Sequence, residues 1–311
     1  MIYINFKAGA SSEMRRLKKP VKGSWIDMIN PTDTEVKQIL KMFNVPMEFF
    51  TAALDPDERP RYDVENGCVL IIFKIPVKRS SGPLRFETIP IGIIITKEVI
   101  ITACLEKTEI HKDFHEQRIK DFYTSKRTRF LFQILSRINR YYMRYLDLIE
   151  SEIKTLEIGL TKSVKNEEII QMFTLQKSLI YFNTAVIGNG NVLENIMKGK
   201  VLKFYEEDED LLENIIVENR QAIEMISVYN NILSNTLDAY ASIVSNNLNI
   251  VMKILTSLTI ILAFPTMVAS FYGMNVQLPL QENPMAFWIT FLISILISMI
   301  AATIFVKKQW I

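Results

Sequence analysis

The stretch ILTSLTIILAFPTMVASFYGMN, residues 254–275, decides how this chain is read. Its first 18 residues, 254–271, carry no ionisable side chain. At about 1.5 Å of rise each, they cross most of a hydrocarbon layer roughly 30 Å thick. A second uncharged stretch, AFWITFLISILISMIAATIFV at 286–306, adds 21 residues of the same kind. Two such spans around a short polar loop, 272–285, predict a membrane hairpin rather than two core helices of a soluble protein. Of the chain's 70 charged residues, only Glu282, Lys307 and Lys308 lie beyond Lys253. A water-facing body therefore precedes a membrane-embedded tail.

Positive residues set the expected orientation. Lys253 precedes the first span and Lys307 with Lys308 follows the second, while the loop holds neither Lys nor Arg. The positive-inside bias puts both termini in the cytosol and the loop outside, in a multi-pass protein of the cell membrane. Trp288 and Trp310 fall near opposite ends of the second span, where indole rings favour the interface. The N-terminal MIYINFKAGA runs into MRRLKK with no long apolar core, so no signal peptide is expected.

The body reads as two regions. Residues 1–128 alternate strand-like runs (2–6, 68–77, 86–96 and 98–105) with short helices from Pro31 to Phe43 and from Pro46 to Leu54. The expectation is a mixed α/β cytosolic domain. Residues 129–253 read as long helices: 130–162, then 166–187 ending near Gly188-Asn-Gly190. After Gly199 there is no Gly or Pro until Pro265. A helix of about 55–60 residues there would reach about 85 Å and run into the bilayer. Such a rod needs side-to-side packing in water, which identical neighbours supply. The fold class expected is α+β with membrane helices: an α/β domain, a long helical stalk and a hairpin over 254–311.

The formal charge is +2 over 311 residues, which gives no support to a nucleic-acid partner. Cys68 and Cys104 match no disulfide or zinc spacing. No phosphate loop, nucleotide fingerprint or nucleophile constellation is present, so neither an enzyme nor a cofactor is expected. His111 and His115, four apart, give two ligands of a zinc pattern without an evident third, and read by default as surface histidines.

The polar residues of the first span follow one line. Steps of three and four connect Thr256, Thr259, Ala263, Thr266 and Ser270, and backwards Met252, Asn249, Ser245, Ser242, Asp238 and Asn235. This seam of hydrophilic or small residues runs for about 50 Å. One reading is helix–helix packing in lipid. The other is a water-filled path in which Asp238, Asn249 and the hydroxyls ring a shared axis and favour cations. Met252 and the flanking Leu255 then either narrow the path at the membrane entrance or simply pack.

The span closes on Tyr272-Gly273-Met274-Asn275. A Gly-Met-Asn triplet ending the first of two C-terminal spans resembles the signature of the CorA family of divalent-cation channels. Further support comes from LDAYASIVSNNLNIVMKILT at 237–256, from Pro265 and from the Lys307–Trp310 ending. The resemblance implies a homopentamer carrying Mg2+, with Co2+ or Ni2+ as further cargo. It places Gly273, Met274 and Asn275 at an outer filter and has Asn275 and Asp238 meet the ion through its water shell. It also matches Asn249 and Met252 to pore-lining positions. Gly273 would permit a sharp helix exit.

The family closes when cytosolic Mg2+ binds acidic groups, one of them on the stalk. Counting back from Asp238, that stalk position is Asn214 here, so the site does not transfer. Asp210, Glu213 and Glu218 are the candidates to replace it, next to the acidic run Glu206–Asp210, whose other reading is a solvated helix start. The alternatives are zinc transport resembling the ZntB branch, which usually carries Gly-Ile-Asn, and a membrane-tethered helical scaffold or signalling protein.

Overall fold

The computed structural model describes residues 1–9, 12–80, 82–119, 122–162, 166–199, 202, 204–280 and 282–310. Gln281, in the expected external loop, lies outside them. The elements are β1 (Ile2–Phe6), β2 (Arg15–Arg16), β3 (Trp25–Ile29), α1 (Asp33–Phe43), α2 (Met47–Ala53), β4 (Arg61–Glu65), β5 (Cys68–Lys78), β6 (Phe86–Ile95), β7 (Ile100–Cys104), α3 (Glu109–His115), α4 (Arg127–Lys162), α5 (Asn166–Met197), α6 (Glu206–Tyr272) and α7 (Ala286–Lys307). They divide into two compact units, Met1–Asn235 and Thr236–Ile311, and the division falls within α6.

In the first unit the strands form one seven-stranded sheet in the order β2-β1-β3-β7-β6-β5-β4. Only β3 and β7 pair in parallel. The central strands are buried on both faces, which is why they read as continuous Ile- and Val-rich runs rather than alternating ones. One face carries α1 and α2, packing Val36, Ile39, Phe49, Phe50 and Ala53 onto Ile26, Leu70, Ile72, Ile94 and Ile101. The opposite face buries an aromatic cluster in which Trp25, Phe114, Phe122 and Phe130 have ring centres 5.3–5.8 Å apart. The start of α1 is a reciprocal cap: Thr32 Oγ1 accepts from Glu35 N–H and Glu35 Oε2 accepts from Thr32 N–H.

Three strands escaped the sequence reading. β3, WIDMI, is buried at every position but has a charge at its centre. β4 follows directly on the charged turn DPDERPR, and β2 has only two residues.

The charge in β3, Asp27, is fully buried. Thr102 Oγ1 donates to its Oδ1 at 2.7 Å, and His115 Nε2 lies 2.6 Å from its Oδ2. His115 in turn stacks on Trp25, ring centres 5.0 Å apart. His111 Nδ1 accepts from Thr108 N–H at 3.2 Å, which leaves its Nε2 3.5 Å from Asp27 Oδ1. The two histidines are therefore packed inward rather than being the surface groups expected from sequence, and they fasten α3 to the sheet. Burial opposes ionisation of Asp27, but the histidines and the Thr102 hydroxyl outweigh it, so its carboxyl lies below the usual 3.8. Burial also holds His111 below its ordinary value.

The helix expected to end at Gly188-Asn-Gly190 instead continues as α5 to Met197. These glycines mark close approaches. A Cβ on Gly188 would sit 2.8 Å from the Pro60 ring, and one on Gly190 2.6 Å from Asn219 Oδ1. Between them, Asn189 takes the place of a strand residue. The β4 ladder stops at Arg61↔Ile72, and two residues further along β5 the Lys74 N–H donates to Asn189 Oδ1 at 2.9 Å. Asn189 Nδ2 returns a bond to Lys74 O at 2.8 Å, and the Tyr142 hydroxyl donates to the same carbonyl at 3.0 Å. Within this unit α6 is tied to its neighbours through Asn139 Nδ2 to Ile215 O, 2.7 Å, and Asn219 Nδ2 to Val186 O, 3.2 Å.

In the second unit α6 does not break at Pro265 but carries it inside the helix. α7 packs beside it. Ser257 is buried, and the Ser298 hydroxyl lies 3.3 Å from Ile261 O. A cleft of about 630 Å³ is walled by Pro265, Val268 and Tyr272 of α6 with Phe287, Phe291 and Ser294 of α7. Both helices are long and apolar enough to cross a membrane, and most of their apolar surface is uncovered. The fold class is thus the expected one: a mixed α/β domain, long helices and two C-terminal membrane-type helices.

Two outcomes follow. Asn189→Ala strands the Lys74 N–H and is expected to cost about 2 kcal/mol, seen as a lower thermal midpoint of the full-length protein. Because the Asp27 pKa is depressed on folding, its contribution is complete above its unfolded value and is lost as pH falls below about 4. The stability gap between wild type and Asp27→Asn should therefore narrow in chemical unfolding at pH 3 relative to pH 6; a gap unchanged with pH would contradict this account.

Candidate ion path and family

Every seam residue is exposed on the single chain. Asn235 closes the first unit, and Asp238, Ser242, Ser245, Asn249, Met252, Leu255, Thr256, Thr259, Ala263, Thr266 and Ser270 follow in the second. At about 100° per residue, the seam lies roughly 180° around α6 from Ser257, Ile261 and Val268, which face α7. The one polar residue of the span that is off the seam, Ser257, is the one the hairpin buries. α7 thus leaves the seam open along its length.

Three hydroxyls on this face, those of Ser242, Thr259 and Thr266, share an orientation. Ser242 Oγ donates to Asp238 O at 3.0 Å, Thr259 Oγ1 to Leu255 O at 2.8 Å, and Thr266 Oγ1 to Leu262 O at 3.0 Å. Each spends its only proton on its own helix, so the oxygen lone pairs are what it offers outward. Thr259, Ala263, Thr266 and Ser270 line an open groove of about 660 Å³ with Leu262, Met267, Phe271 and Met274. The sequence reading placed neither Leu262 nor Met267 nor Phe271 in this groove. Their signal was present, since each sits one or four positions from a seam residue.

α6 ends at Tyr272, where the Gly273 N–H donates to Ala269 O at 2.9 Å and the Met274 N–H to Phe271 O at 3.2 Å. The exit at Gly273 is made without a left-handed residue; among the described residues the positive-φ glycines are Gly23, Gly67, Gly82 and Gly199. A Cβ there would approach Ala269 O to 3.3 Å, so the glycine serves a tight turn over the last carbonyls. Gly273, Met274 and Asn275 are all exposed. The single chain does not bring Asn275 and Asp238 together, because they lie near opposite ends of a helical stretch about 50 Å long.

Of the candidate regulatory acids, Asp210 and Glu213 are exposed and Glu218 is half-buried. Burial raises the Glu218 carboxyl above its ordinary value, with the Arg140 charge opposing. Asp208, in the same acidic run, is held by Arg129 at 3.0 Å. Among the described residues no group of three or more His, Cys, Asp or Glu side chains is arranged to hold a metal ion, His111 and His115 included.

Comparison with known proteins agrees with this architecture. The family described as CorA-like Mg2+ transporter protein matches residues 22–308. The Cobalt/magnesium transport protein CorA of Methanocaldococcus jannaschii is 30% identical over 293 residues, covering 92% of this chain and 91% of that protein. The complete structure of the CorA magnesium transporter from the same organism superposes with a TM-score of 0.88 at 28% identity, covering 100% of this chain and 99% of that one. The full-length CmaX protein shares the fold at a TM-score of 0.76 and 14% identity, over 99% and 97% of the two chains. A family match over most of the chain, a relative 30% identical over 92% of it and a shared full-length fold agree, and the chain belongs to the CorA-like Mg2+ transporter family.

Proposed function

We propose that this chain carries Mg2+ into the cell, with Co2+ and Ni2+ as further cargo, through a path lined by the α6 seams of several identical copies. Five copies is the number the family resemblance implies. The outer filter is Gly273-Met274-Asn275, the loop faces outside and both termini face the cytosol.

The observation that carries this reading is the orientation shared by the Thr259 and Thr266 hydroxyls of the seam, whose protons are spent on Leu255 O and Leu262 O. A hydrated cation presents water hydrogens outward, and Mg2+ gives up that shell reluctantly. A wall of oxygen acceptors therefore suits the ion with its water, whereas a wall of free donors would not. Helix packing in lipid, the competing explanation, has no claim on acceptors that α7 leaves open.

Asp238, exposed where the seam meets the cytosolic body, adds a ring of negative charge when copies gather, and Asn275 carbonyls accept from the ion's water at the far end. Met252 and Leu255 form the apolar narrowing between them. The driving force needs no enzyme: a divalent ion entering down a potential of 100 mV, inside negative, gains about 4.6 kcal/mol. Exposed Asp210 and Glu213, with half-buried Glu218, are the groups through which cytosolic Mg2+ would slow entry.

Two substitutions test the reading in proteoliposomes loaded with a Mg2+ indicator. Asn275→Ala is expected to cut uptake at least tenfold with assembly intact; unchanged uptake would remove Asn275 from the filter. Asp238→Ala should alter cation throughput or gating more than assembly, and loss of the oligomer with no separable transport defect would make Asp238 structural. Running Zn2+ beside Mg2+ separates the zinc alternative, which would show preferential Zn2+ uptake.

A further inference from the structure

The geometry points to Ser298 of α7 as a positioning residue of the ion path: its hydroxyl supplies to α6 the hydrogen-bond donor that Pro265 removes. Proline has no N–H, so the helical partner due to the carbonyl four residues earlier, that of Ile261, is missing. Inside a bilayer no water stands by to replace it, and a neighbouring helix or a Ser or Thr side chain must. Ser298 Oγ lies 3.3 Å from this carbonyl.

The same hydroxyl lies 3.0 Å from Ser294 O on its own helix, and it has one proton to give. The two acceptors are not equal. Ser294 O already has the regular α-helical amide of Ser298, whereas Ile261 O has no such amide, so the proton matters most at Ile261. One residue further along α6, Leu262 O accepts from Thr266 Oγ1 at 3.0 Å. The two carbonyls facing the proline gap are thus served by one hydroxyl from α7 and one from the seam.

Ala263 and Thr266, both seam residues lining the open groove, are carried on this turn. Without the Ser298 donor, Ile261 O would seek another, and the turn that aims these two residues would no longer be fixed. The effect on transport rests on the seam reading proposed above; the bond itself does not.

A double substitution separates this role from ordinary packing. In the reconstituted full-length protein, Ser298→Ala and Ser298→Val are expected to slow initial Mg2+ uptake about three- to tenfold, the range of a single interhelical bond in lipid. Ser298→Thr, which keeps the hydroxyl, should retain the wild-type rate. In a Pro265→Ala background, where residue 265 regains its amide, adding Ser298→Ala should change nothing further.

Wild-type uptake by Ser298→Ala, the same fold-loss with and without Pro265, or equal performance of Thr and Val would each overturn the assignment. Should Pro265→Ala fail to assemble, the Thr and Val comparison decides alone. If the wild type itself carried no Mg2+, the transport reading would fall, and the same set read as thermal midpoints in detergent would still test the bond. Ser298→Ala must then lower the midpoint with Pro265 present and leave it unmoved after Pro265→Ala.

Discussion

Hydrocarbon offers a polar group no partner, and that constraint organises the second unit of this protein. Thr259 and Thr266 satisfy their protons on their own backbone and keep their oxygens outward, while Ser257, buried on the hairpin side, has no hydrogen-bond partner for its hydroxyl among the described residues. The apolar residues then take the surface that remains. Both helices have a side that the partner covers and a side that it leaves open; what distinguishes α6 is the line of polar and small residues along its open side.

The first unit answers a different requirement. Its sheet is covered on both faces, so the central strands tolerate almost no polar side chain, and those present are fully partnered. Asp27 is acceptable at the centre of β3 because Thr102 and His115 reach both its oxygens. Asp113, also buried, is met by Arg137 Nε at 2.6 Å and by the Tyr141 hydroxyl at 2.7 Å. The first network fastens α3 to the sheet and the second fastens it to α4, and both use charge where a purely apolar contact would leave sliding unopposed.

The membrane hairpin, the long helices and the buried Ile-rich strands were legible in the sequence because each repeats one signal over many residues. The errors cluster where a residue's usual meaning is overridden by a neighbour distant in sequence. Gly188 and Gly190 suggest a helix end until Pro60 and Asn219 are seen pressing against them. β3 was missed because Asp27 interrupts its apolar run, and only the tertiary partners of Asp27 make a charge possible there. The seam itself was fully legible, since three- and four-residue steps need no knowledge of what faces them; which side of α6 meets α7 was not.

The Asn189 amide, which completes the edge of the sheet at Lys74, also limits how the length of α5 can drift over evolutionary time. Each inserted or deleted residue swings everything beyond it by about 100° around the helix axis. A single indel between residue 189 and a neighbouring anchor would carry this amide away from the strand, or the anchor from its own contact. Length change is therefore expected to concentrate away from Asn189, toward the connection between α4 and α5.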